Sequence, residues 1–156
     1  MMKTSKGLII GVTLGCLAYS GGALADPETD YRSLVMQISK LHFKAIESIL
    51  SGTVAHPETL HRHAKGFQVN TEILPHLYDP YMKNRQKSGQ PAMDNTTFFK
   101  AVEESQDAMA KLTTTASKFV EARSHVKKGA SDTTEVKQAF DNVKSKCMAC
   151  HTDLAD

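Results

Sequence analysis

From residue 30 onward the apolar positions return every three or four residues, and nowhere do they alternate as a strand requires. Tyr31, Leu34, Val35, Ile38, Leu41, His42, Ala45, Ile46 and Ile49 make the first such stripe. It predicts a helix from an Asp30 N-cap to about Leu50, stopped by Ser51-Gly52. Its main row is Leu34, Ile38, Leu41 and Ile46, and Met36 stands off that row. Leu60, Ala64, Phe67, Thr71 and Leu74 predict a second helix that starts near Pro57 and is closed by Pro75. Residues 75–94 hold Pro75, Pro80, Gly89 and Pro91, so they read as a long crossover. A third helix runs from about Asn95 to Lys127 on Phe98, Phe99, Val102, Met109, Leu112, Ala116, Phe119 and Val120, with Gly129 following two lysines. A fourth opens on Asp132-Thr133-Thr134-Glu135, an acidic form of the capping box, and carries Val136, Phe140, Val143, Cys147 and Cys150 on one face. Four amphipathic helices with one long connection predict an all-α, antiparallel four-helix bundle.

The first 25 residues follow another logic. Lys3 and Lys6 precede an apolar run from Gly7 to Ala18, and Ala23-Leu24-Ala25 has the small-x-small form of a signal peptidase site. The run is short and Gly-rich for a transmembrane helix. Lipoprotein cleavage before Cys16 fits worse, because Thr13-Leu14-Gly15 matches that signal poorly. Residues 1–25 are therefore expected to be a cleaved signal peptide and 26–156 a single exported domain. Cleavage would remove Cys16 and two lysines, leaving equal numbers of basic and acidic residues. Balanced charge supplies no basic field for nucleic acid, and no membrane contact is expected after cleavage.

Only Cys147 and Cys150 would then remain, in Cys147-Met148-Ala149-Cys150-His151. This is C-x-x-C-H, the attachment motif of c-type haem. On a helix the three functional residues fall at i, i+3 and i+4 and face one way. Two thiols can form thioethers to one haem edge while the imidazole reaches the iron. A redox-active C-x-x-C belongs beside a βαβ unit, which is missing. A structural zinc needs about four ligands, and three are present. A disulfide between Cys147 and Cys150 would close a tiny loop and gain little. One covalent haem c, held by Cys147 and Cys150 with His151 on the iron, is the reading.

With those residues in view, the chain resembles the cytochrome c-prime family, the class II cytochromes c, over nearly all of 26–156. The likeness rests on the C-terminal C-x-x-C-H, on Tyr31-Arg32 followed by Met36 and His42-Phe43, on Pro91-Ala92-Met93 before Phe98, and on Val143 to His151. The family often has Trp two residues after that Pro; here the position is Met93, and the chain has no Trp. The resemblance implies a four-helix bundle and periplasmic location. It places Arg32 near the haem propionates and Met36 at the distal iron face. Met there implies six-coordinate, low-spin haem and an electron carrier, whereas a bulky Leu or Phe marks the five-coordinate, gas-binding members. Family members often pair through their first two helices, which makes a homodimer a candidate.

Too few residues follow His151 for a downstream Met ligand, so any sixth ligand must come from another helix. Met36 as simple core filler is the competing reading. His42 is the reserve ligand. His56, His61, His63 and His76 cluster around the second helix and raise a copper or zinc site as one reading, but His61 and His63 are two apart and cannot face one ion together. A solvated face is expected there. Lys144 and Lys146 stand beside the motif, either to orient an acidic redox partner or as a solvated surface, and a charge near zero argues against strong steering. The function expected is single-electron transport by His/Met-ligated haem c, with NO or CO binding at an open iron as the alternative. No convergent acid and base residues support an enzyme.

Overall fold

The computed structural model describes residues 27–89, 94–125 and 132–154. Four helices account for nearly all of them: α1 (Pro27–Leu50), α2 (Leu60–Lys87), α3 (Asn95–His125) and α4 (Thr134–Leu154). A 3-10 turn, Pro57–Thr59, leads into α2. The described residues contain no strand, and the four-helix bundle is as expected. Each helix packs broadly on the next in sequence, while α1 and α4 meet at Phe43–Phe140 and Glu47–Lys144. The expected signal peptide, Cys16, Pro91-Ala92-Met93 and Lys127 to Gly129 lie outside the described residues.

Helix ends follow local chemistry. Pro27 opens α1, earlier than expected, because its fixed φ and missing N–H suit a first turn. Asp30 therefore sits in that turn rather than at the N-cap. Gly52, at φ 78°, ends α1, and its N–H donates to the Ile49 carbonyl at 3.1 Å. Asp94 caps α3, accepting from the N–H groups of Thr96 at 2.9 Å and Thr97 at 3.0 Å and from the Thr97 hydroxyl at 2.6 Å. Asp132 accepts from the Thr134 N–H at 2.8 Å and from its hydroxyl, although α4 itself starts at Thr134.

The Asp94 bonds, led by the Thr97 hydroxyl, hold its carboxyl at about 2, below its ordinary 3.8. A depressed folded pKa adds stability above the ordinary value and loses it as pH falls through the folded one. Thermal melts of Asp94→Ala should accordingly lie below those of the parent at neutral pH. The two should converge between about pH 4 and about pH 2.

The expected crossover at 75–94 is corrected: α2 runs on to Lys87 through Pro75 and Pro80. Pro75 has no N–H for the Thr71 carbonyl one turn back. Gln106 of α3 donates to that carbonyl instead, Nε2 to O at 3.0 Å, and Thr71 is buried. A donor from the neighbouring helix thus offsets what the proline removes. Gln106→Leu strands a buried acceptor and should cost about 1–3 kcal/mol in denaturant unfolding.

The main core joins Ile46, Leu60, Ala64, Phe67, Met109, Leu112, Phe119, Val136, Phe140 and Val143. A second cluster, Met82, Phe98 and Val102 with Leu74, Tyr78, Tyr81 and Phe99 packed against it, joins the C-terminal half of α2 to the start of α3. The inward face of α1 is another correction. Val35, Ser39, Ile46 and Leu50 are buried, whereas Leu34, Ile38 and Leu41 are 54%, 45% and 68% exposed. α1 carries two apolar stripes, and the one that packs includes a serine, so periodicity alone favours the other.

Candidate haem-binding site

The antiparallel order brings the N-terminal part of α1, the C-terminal half of α2, the start of α3 and the last turns of α4 to one end. Cys147 continues the buried row of Val136, Phe140 and Val143 and packs against the main core. Burial, with Cys150 beside it, pushes its thiol up to about 11. A thiol protonated at neutral pH is a poor redox nucleophile. Cys150 is half-buried, and His151 and Met148 are exposed. No disulfide joins Cys147 and Cys150 in this structure. Among the described residues no group of three or more His, Cys, Asp or Glu could hold a metal ion.

Opposite this segment stand residues of the expected crossover, now in the C-terminal half of α2. Tyr78 packs on Phe98 with ring centroids 5.5 Å apart, and Tyr81 meets Tyr78 edge-on at 6.2 Å. Burial raises the Tyr78 phenol, the Arg32 cation opposes that, and Cys150 is close enough to add to it. The Arg32 guanidinium lies 4.9 Å from the Tyr81 ring centroid and donates to the Thr29 hydroxyl at 2.9 Å. Arg32, Tyr78, Tyr81 and Cys150 therefore gather from α1, α2 and α4. The spacing Leu74, Tyr78, Tyr81, Met82 was a legible helical signal, overruled by Pro75 and Pro80.

Met36 is half-buried. It precedes Phe43 by seven residues and Glu47 by eleven, so the three share one edge of α1. That edge faces α4: the Phe43 and Phe140 rings lie 4.7 Å apart, and Glu47 meets Lys144 at 4.0 Å. On α4, Cys147 follows Phe140 and His151 follows Lys144, each by two turns. Antiparallel register then brings Met36 level with the last turns of α4, which carry His151. Met36 is thus on the inward side of its helix, off the outer Leu34/Ile38/Leu41 row as expected. A macrocycle fits this end of the bundle by the chemistry of its donor set, since the N-terminal part of α1 and the last turns of α4 supply a thioether, two thiols and an imidazole.

His42 turns the other way. Its Nδ1 lies 3.3 Å from Nδ1 of His63 on α2, which leaves the reserve ligand engaged with α2. Burial, then His63, lowers its pKa. Both lysines near the motif are paired, Lys144 with Glu47 and Lys146 with Glu104 at 2.7 Å, so neither is a bare charge for a partner. The Lys146 pair also pins α4 to α3 one residue before Cys147. His56 and His76 are exposed.

A family model for cytochrome c′ matches residues 28–154. The chain belongs to the cytochrome c′ family. That membership makes it a haem-binding protein of electron-transfer type, and the family's haem c is covalently bound. Similar solved structures include nitric oxide complexes of two cytochrome c prime mutants from Alcaligenes xylosoxidans. Each shares 18% identity at a TM-score of 0.60, over 83% of this chain and 96% of that one. A ferrous variant with bound NO, from the same organism, matches at 0.60 over 95% of its own length. At that identity the likeness establishes the fold. No curated protein matches. No helix among the described residues is long and apolar enough to cross a membrane.

Proposed function

We propose that this cytochrome c′ carries single electrons in the periplasm, through one haem c attached at Cys147 and Cys150, with His151 and Met36 as axial ligands. The observation that carries the reading is Met36, half-buried on the α4-facing edge of α1 and level with His151. The bound haem supplies a one-electron iron couple, whose potential His/Met ligation raises. The chain does the rest. Two helices tied by Phe43, Phe140, Glu47 and Lys144 hold the two ligands at a set separation, which keeps reorganisation small. Arg32 supplies a cation for the propionates from beside Tyr81. Tyr78, packed on buried Met82 and Phe98, makes this end of the bundle apolar. The role is that of a carrier, with binding and packing rather than proton transfer assigned to Arg32 and Tyr78.

The partners are redox proteins, met without strong steering because the lysines beside the motif are paired. Tyr31, Leu34, Ile38 and Leu41 form an exposed apolar stripe on α1, which supports a homodimer, and sedimentation equilibrium tests it directly. The gas-binding alternative draws support from the NO complexes among the similar folds. Ferric electron paramagnetic resonance combined with equilibrium redox titration separates the two. The carrier gives a low-spin ferric signal and one reversible one-electron wave. A high-spin ferric signal would point to an open iron and overturn the carrier.

A further inference from the structure

Away from the haem end, the α1–α2 seam brings together two histidines that are 21 residues apart in sequence. Nδ1 of His42 and Nδ1 of His63 are 3.3 Å apart, with ring planes inclined at 57°. Two nitrogens bound at 2.0–2.1 Å to a tetrahedral ion stand about 3.3–3.4 Å apart. The seat of His42 is specific. A Cβ added at Gly66 would lie 2.6 Å from His42 Nε2, so only glycine there lets the ring settle with Nδ1 toward His63. His63, though not His42, also lines a cavity of about 400 Å³ that opens to solvent beside Lys44, Ser48, His56 and Thr59.

We propose that His42 and His63 form a two-imidazole site for a divalent transition-metal ion, with water in the remaining positions. Both rings would ligate through Nδ1 and keep their protons on Nε2. Imidazole suits zinc, copper and nickel, and copper(II) binds tightest in that series. Because the chain supplies two ligands, the ion exchanges with solvent and does not form a closed structural centre. While bound, it ties α1 to α2 below the level of Met36.

The test is a copper(II) titration of the purified protein, followed by calorimetry and electron paramagnetic resonance. Cys147 and Cys150 are either engaged by haem or alkylated beforehand. The expected result is one ion per chain with nitrogen ligation. His42→Gln or His63→Gln alone should weaken it by about tenfold or more, since each removes half of the chelate. Gly66→Ala, which leaves both ligands in place, should weaken it too. His76→Gln should leave it unchanged, with helicity the same throughout. Copper binding that survives His42→Gln, that falls equally with His76→Gln, or that is absent from the parent overturns the proposal.

Discussion

With Cys147 and Cys150 both changed to Ala, the haem should leave the polypeptide completely under denaturing extraction, where the parent keeps all of it. The reason is covalent: thioethers require the two sulfurs, and no other Cys lies in 26–156. The fold should persist. The buried row of α4 keeps Val136, Phe140 and Val143, and exchanging Cys147 for Ala deletes one sulfur atom at the edge of the main core. Circular dichroism and a denaturing gel stained for haem read the two outcomes together. Haem still attached to the doubly substituted chain would contradict the assignment.

Met36→Ala should change the iron as thoroughly without detaching the haem. Removing the thioether leaves one axial ligand, so the reduced protein becomes high-spin and takes up CO, and its potential falls as the Met contribution is lost. Leaving the haem attached separates this effect from a folding defect. Met36 also stands outside both buried clusters, so stability should change little. Met36→Leu, which keeps the bulk and removes the sulfur, should reproduce the spin change. A low-spin spectrum in both variants would make Met36 packing.

Much of this was legible in the sequence, for identifiable reasons. Helical rows such as Leu60, Ala64 and Phe67 keep their period over many turns, and Cys147 to His151 is a local motif that one helix presents whole. What escaped depends on contacts between helices. Pro75 ended the predicted second helix because its missing N–H is a local fact, whereas the Gln106 donor that satisfies Thr71 comes from another helix. Tyr78 and Tyr81 lie beyond that proline, so their place on α2 rests on the same contact between helices. On α1 the apolar row Leu34, Ile38 and Leu41 outscored the packed row, which contains Ser39. The meeting of His42 with His63 needed the register of α1 on α2, which neither segment encodes alone.

Axial ligation by His151 and Met36 is the claim on which the electron-carrier function stands. It is tested most directly by the absorption spectrum of the reduced, haem-loaded protein before and after CO. Sharp, split α and β bands that CO leaves unchanged are the predicted result, because both axial positions are filled. A broad high-spin spectrum that shifts on CO would contradict it, leaving Met36 as packing and the iron open to gas.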